Sequence, residues 1–257
     1  MLTPDLDTPF LERYARGTSP RADAPSFDPS RLRLDRSSPE DLEAARYAWA
    51  ARWVDEYRSV ALFSHLLTLL NTLEAPHVAQ QAVHRLIGEE LRHSQFCALV
   101  LRRLDPEERF QVDLSGMAPT PTGEDPAVEA FLLVVYELWV AESESLGAIR
   151  AYRDACGDPA LKEQMVVLLR EEVGHAALGR HLTLLLARSL PREPLRVVFA
   201  KLPELVDARA REIRGTLQAA AQGGPGRYFG ASLEPSELPR APDHGPLLGK
   251  LAAVLAS

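Results

Sequence analysis

Two five-residue stretches of this chain have the makings of a metal site: Glu89-Glu90-Leu91-Arg92-His93 and Glu171-Glu172-Val173-Gly174-His175. Both read Glu-Glu-x-x-His. On an α-helix, residues three apart lie on one face about a turn apart, so a carboxylate oxygen and an imidazole nitrogen from one helix can reach the same cation. A single such stretch carries little weight, because Glu is common on helices. Two copies on separate helices give the pattern of a carboxylate-bridged two-metal site inside a four-helix bundle. Carboxylate oxygens with one imidazole per metal suit iron or manganese better than a metal that prefers thiolates.

The elements that must position these residues are read from helix punctuation. Ser38-Pro39-Glu40-Asp41 is a start signal, with a capping Ser, Pro at the first helical position and acids in the first turn. The first helix is expected from Pro39 to about Leu73, and the second from Pro76 to about Leu104, closed by Asp105-Pro106. Residues 105–125 hold Gly116, Pro119, Pro121 and Gly123 and read as a long crossover. The third helix is expected from Pro126 to about Cys156. Gly157-Asp158-Pro159 then stops one helix and starts the next, which runs to about Leu190. A fifth helix fits Pro194 to Gln222, with Pro203 as a site for a kink. The fold class is all-α: two tight helical hairpins, one motif in each, joined by a long connection.

Around this lie an N-terminal arm, residues 1–37, and a tail, residues 223–257. The bundle with its fifth helix takes residues 38–222. The arm is rich in Pro, Asp, Arg and Ser and shows only a helical turn at Phe10–Ala15. It either wraps the helices or pairs with another subunit, as in a homodimer, and the sequence leaves both open. The tail reads as a Gly- and Pro-rich loop followed by a short apolar helix at Leu247–Ala256.

Hairpin geometry narrows the remaining ligands. In an antiparallel pair, residues at one height are equally far from the turn. Glu56 and Glu90 are equidistant from residue 73, in the first turn, whereas the neighbouring Asp55 points about 100° away. In the second pair, Glu142 and Glu172 are equidistant from Gly157, and Glu144 and Glu172 from Asp158. Glu137 is about a turn too low. Glu142 and Glu144 point about 200° apart, so only one can face inward. Glu142 shares its stripe with Phe131, Val135, Leu138, Leu146 and Ile149, the bulkier side, and is preferred, with Glu144 as runner-up. The expected metal ligands are Glu56, Glu90, His93, Glu142, Glu172 and His175. Their four carboxylate charges nearly balance two divalent cations, and burying them with no cation would force some to take up protons.

Composition bounds the rest. The chain has 257 residues, 46% hydrophobic and 25% charged, with a formal net charge of −7. That suffices for one large domain. No basic stripe points to nucleic acid or to a membrane surface. The most apolar run, Phe131–Ala141, is interrupted by Glu137 and is too short to span a bilayer. Two cysteines, Cys97 and Cys156, make no disulfide framework, and with no apolar signal core near the N-terminus a cytoplasmic location is expected.

Over residues 39–190 these features resemble the ferritin-like superfamily of non-haem di-iron carboxylate proteins, which includes ferritins, rubrerythrins, the ribonucleotide reductase small subunit, multicomponent monooxygenases, fatty-acyl desaturases and arylamine N-oxygenases. Glu90 with His93 and Glu172 with His175 match its two Glu-x-x-His pairs, and Glu56 and Glu142 match its single carboxylates. The resemblance implies two iron ions, with mixed manganese–iron occupancy an alternative, and dioxygen activation to oxidise a small organic substrate. The competing reading within the same family is iron handling, as a ferroxidase, a storage protein or a peroxide scavenger. In many relatives an Asp precedes each motif Glu and hydrogen-bonds a ligand histidine; here Glu89 and Glu171 stand in those places. Arg92 matches an Arg often found within the motif, and its counterpart is Gly174. Leu168 stands where arylamine oxygenases carry an extra histidine, which argues against that subgroup. No rubredoxin-type Cys-x-x-Cys is present, so an external electron donor is expected.

The other chemistry-bearing residues read as bland. His65 and His181 point away from the ligand faces, His77 and His84 read as surface or packing residues, and His244 sits in a loop with no assignable role. Cys97, one turn after His93, reads as a small packed residue. Tyr57, Tyr136 and Tyr152 read as core before they read as redox relays, and Trp49 and Trp53, one turn apart on the first helix, read as core.

Overall fold

The computed structural model describes residues 8–17, 27–107, 117, 119, 123–221 and 240–256, and every regular element among them is helical. α1 spans Thr8–Arg16, α2 Pro39–Thr72 and α3 His77–Leu104. α4 (Pro126–Leu133), a π-helical stretch (Val134–Ala141) and α5 (Glu142–Ala155) follow without a break as one rod. α6 covers Pro159–Ser189, α7 Arg192–Ala221 and α8 Gly245–Ala256. Among the described residues, no helix is long and apolar enough to cross a membrane.

The expected boundaries follow from local chemistry. Ser38 Oγ accepts from Asp41 N, an Asp125 carboxylate oxygen from Ala127 N, and an Asp158 oxygen from both Ala160 N and Leu161 N. Pro76 is the cap of α3, not its first turn, and Pro203 lies within α7, which continues across it. Most of the 105–125 crossover and of the loop before α8 lies outside the described residues. The helical turn expected at Phe10–Ala15 is part of α1, whose Leu11 is fully buried.

α2 and α3 form one antiparallel hairpin, and the α4–α5 rod forms another with α6. The hairpins meet through α3 on α6 and α2 on α4. α1 lies across α3 and α6, α7 packs on the rod, and α8 packs on α6. The apolar interior is not continuous. One cluster contains Phe63, Leu66, Leu86, Phe131, Val140 and Leu178. The other contains Trp49, Phe96, Cys97, Ala148, Met165 and Leu169. Each large apolar side chain so buried contributes roughly 1.5–3 kcal/mol. Every rod also buries or half-buries acidic residues: Glu56 on α2, Glu89 and Glu90 on α3, Glu142 on the rod, and Glu171 and Glu172 on α6.

Candidate metal centre

The two sequence motifs meet across the α3–α6 contact. Glu90, His93, Glu172 and His175 are all buried, and one potential ligand atom from each lies within 4.8 Å of the others. His93 Nδ1 faces Glu172 Oε1 at 3.3 Å, Glu56 Oε2 at 3.6 Å and Glu90 Oε2 at 3.8 Å. His175 Nδ1 lies 3.0 Å from both Glu90 Oε1 and Glu172 Oε2. Both imidazoles thus present the same nitrogen to the same pair of carboxylates.

The opposite nitrogens are held by the residues that precede the motif glutamates, and they are held crosswise. His93 Nε2 pairs with Glu171 Oε2 of α6 at 2.9 Å, and His175 Nε2 pairs with Glu89 Oε2 of α3 at 3.1 Å. An imidazole that donates from Nε2 keeps its Nδ1 lone pair for a cation, so these bonds select the tautomer a metal needs. Each orienting carboxylate is itself clamped. Arg92 donates to Glu171 Oε1 at 3.0 Å, and Arg85 donates through Nε to Glu89 Oε1 at 2.9 Å. Glu89 also accepts from the Tyr14 hydroxyl.

Tyr14 is the contact that sequence reasoning missed. It comes from α1, and Arg85 fixes it twice, donating to the Tyr14 carbonyl oxygen at 2.5 Å and stacking its guanidinium over the ring at 4.5 Å. Gly174 of the second motif lies beside this ring: a Cβ there would be in ordinary contact with Tyr14 Cε2, at 3.5 Å. The available signal was the 10/11/14 spacing of Phe10, Leu11 and Tyr14, which marks one buried face of a short helix.

Glu56 and Glu142 border the four-residue group on its outer side. Glu56 is buried, with Arg52 3.6 Å away, and burial raises its carboxyl above the ordinary value. Burial, reinforced by the charges of Glu172 and Glu90, pushes the Glu142 carboxyl well above that range. Glu90 and Glu172 go the other way: burial opposes their charge, but the imidazoles hold both carboxyls below the ordinary value, Glu172 well below. Burial likewise works against the charged forms of His93 and His175, and the surrounding carboxylates override it and raise both well above the usual imidazole value. The shifts run in the direction of a cluster whose charges are offset by protons where no cation is present. Even so, Glu90 Oε1 and His93 Nδ1 are buried and make no hydrogen bond of good geometry, although opposite groups lie 3.0 and 3.3 Å away. Buried orphans of this kind are rare. A cation between the motifs satisfies both, so the residues fit a metal on the structure's own terms.

The runner-up Glu144 faces elsewhere. It is buried against α7 and the segment before α8, where Arg214 binds it through two nitrogens at 3.0 and 3.1 Å and His244 Nε2 lies at 3.1 Å. His244, which sequence reading left without a role, is buried and packs edge-on to Trp139. His65 pairs with Glu129 at 2.9 Å, His181 stacks on Phe10, and His77 and His84 are exposed. Cys97 is fully buried beside Glu56, and burial drives its thiol pKa far up, consistent with a packing residue.

A cavity of about 310 Å³ opens on the outer side of the group. Glu56, Glu90, Glu142 and Glu172 form its inner wall, and Phe63, Ile149 and Tyr152 are among its apolar lining. Glu137, at its edge, is held by Arg209 at 2.9 and 3.0 Å. Of the three tyrosines named from sequence, only Tyr152 reaches this space. No family model, no curated protein and no solved structure matches this chain.

Proposed function

We propose that this protein is a non-haem di-iron oxidase or oxygenase on a ferritin-like four-helix bundle, using dioxygen to oxidise a small organic substrate. The observation that carries the reading is the convergence of Glu90, His93, Glu172 and His175 from two separate motifs, with their ligand atoms within 4.8 Å. Glu56, Glu90, Glu142, Glu172, His93 and His175 would hold the two metals, which when bound supply the electrons that reduce dioxygen.

The chain's own residues do the rest. Glu89 and Glu171 hold each imidazole with Nδ1 inward, and Tyr14, Arg85 and Arg92 keep those carboxylates in place. The apolar clusters exclude water along the bundle axis. The 310 Å³ cavity leaves the Glu56–Glu142 side accessible, and its volume lies within the range of small-ligand pockets. That cavity favours an organic substrate over iron as the thing oxidised.

Anaerobic ferrous loading with metal analysis tests the first half of the proposal: two metals per chain are expected, and metal analysis after expression distinguishes iron from mixed manganese–iron. Oxygen uptake by the loaded protein tests the second. Uptake that depends on an added organic compound and an external reductant supports the proposal. Uptake driven by ferrous ion alone, from a large hollow assembly on sizing, assigns the protein to iron handling instead. Failure of Glu90→Ala and His175→Ala to reduce metal content would remove the site altogether.

A further inference from the structure

On the far side of Ala148 and Leu217 lies a second cavity, of about 340 Å³, whose charge is opposite to that of the first. Both residues line both cavities. The first carries the side chains of one arginine and six acids: Arg52 with Asp55, Glu56, Glu90, Glu137, Glu142 and Glu172. The second carries three arginines, Arg150, Arg214 and Arg240, against the single carboxylate of Glu144.

That carboxylate is already committed, since Arg214 Nε and one of its terminal nitrogens bind it along one edge and His244 closes the other side. The pairing fixes the guanidinium of Arg214 and leaves its remaining terminal nitrogen outside the bidentate contact. Arg150 and Arg240 are exposed and make no ion pair or hydrogen bond among the described residues. The three come from different elements: α5, α7 and the segment before α8. A fourth donor points the same way. Ser143 Oγ, from a side chain 7% exposed in the cavity wall, is buried with no hydrogen-bond partner. Two uncommitted cations, a third held rigid and an orphaned hydroxyl converge on one recess, and what satisfies all of them is an acceptor-rich anion.

We propose that this cavity binds a small organic anion carrying a carboxylate or phosphate group, seated against Ser143 between Arg150, Arg214 and Arg240. The site stands independently of the metal reading, because none of these residues belongs to the metal set.

The test uses the full-length metal-free protein, titrated calorimetrically with inorganic phosphate in one arm and citrate in the other. Saturable one-to-one binding in either arm is expected, and the stronger arm identifies the preferred group. Affinity should fall roughly tenfold or more in the double variant Arg150→Gln, Arg240→Gln, and by a smaller factor in Ser143→Ala. It should also weaken with rising salt. Arg211→Gln, an exposed arginine of α7 outside the cavity, should leave it unchanged. Since Arg150 and Arg240 are exposed, the double variant should melt like the parent, so loss of binding cannot be assigned to misfolding. No saturable binding at millimolar anion, binding unchanged in the double variant, or an equal loss in Arg211→Gln would each overturn the proposal.

Discussion

Gly179 lies one turn after His175 on α6, where that helix meets the π-helical stretch of the α4–α5 rod. A Cβ at this position would lie 2.6 Å from Trp139 N and closer still to the carbonyl carbon and oxygen of Leu138. Real Cβ atoms essentially never come within 3.0 Å of such neighbours, and all three atoms here are backbone, so no rotamer change relieves the clash. Gly179→Ala must therefore push the two rods apart by roughly 1 Å in a close-packed interior, at a cost near the upper end of the usual 1–3 kcal/mol for overpacking. Alanine's better helix propensity returns about 0.5–1 kcal/mol. The net expectation is about 2 kcal/mol of destabilisation, or a melting temperature lower by roughly 4–8 °C for a chain of this size. Gly88→Ala is the internal control: it too is a helical glycine, but nothing lies within 4 Å of its Cβ position, so the same substitution should stabilise by about 0.5–1 kcal/mol. Urea unfolding followed by circular dichroism reads both, and cobalt titration of Gly179→Ala should show weakened binding because His175 moves with the helix. If the two alanine variants change stability in the same direction, the close approach of α6 to the rod is wrong.

Other perturbations have equally definite signs. Glu89 is held at about 2, burial being outweighed by His175, Tyr14 and Arg85. Its stabilising contribution is therefore complete above about pH 4.5 and is lost as pH falls from there toward 2, on the order of 3 kcal/mol in all. Acid unfolding of the metal-free protein should show this loss, and Glu89→Gln should flatten it. Loading divalent cations should release protons, because burial raises the Glu142 carboxyl and the surrounding carboxylates raise His93 and His175, and a cation displaces what they hold; a weakly buffered titration measures it. Release of none would mean that cations bind somewhere else. Glu74 ends the α2–α3 turn at a φ of 50°, a conformation that favours glycine, so Glu74→Gly should stabilise the protein by about 1 kcal/mol in the same urea assay.

The helix ends and the level of each acid were readable because both are local problems. A Ser or Asp cap before Pro starts α2, α4 and α6, and an antiparallel hairpin sets residue heights once its turn is known. That arithmetic alone placed Glu56 level with Glu90 and Glu142 level with Glu172. The choice of Glu142 over Glu144 also leaned on a continuous α-helical stripe from Phe131 onward, and there the reasoning was only partly sound. Val134–Ala141 is π-helical, so each residue turns through a smaller angle than in an α-helix and the phase between Phe131 and Glu142 is not the assumed one. Val134, Trp139 and Val140 are buried as well as Val135 and Leu138, so the stripe is broader than expected. Glu142 stands where α5 resumes after that stretch, and it lies beside Glu90 and Glu172. Nothing in the sequence announces the change of winding.

What could not be read is what depends on segments far apart in the chain. No period links Tyr14 to Glu89 across 75 residues, or His244 to Glu144 across 100. Yet both contacts do one physical job: each gives a buried carboxylate a partner that its own helix cannot supply. α1 brings Tyr14 to Glu89, and the segment before α8 brings His244 to Glu144. An acid-rich interior needs such outside donors wherever no cation is available. The arm and the tail therefore follow from the acids. Where sequence places more buried carboxylates than the core helices can satisfy, flanking segments must fold back to satisfy them. Glu56 and Glu142 receive no donor from the arm or the tail; burial raises both carboxyls, and both line the 310 Å³ cavity. Under the proposed function, the cations would neutralise the buried carboxyls that no flanking donor reaches.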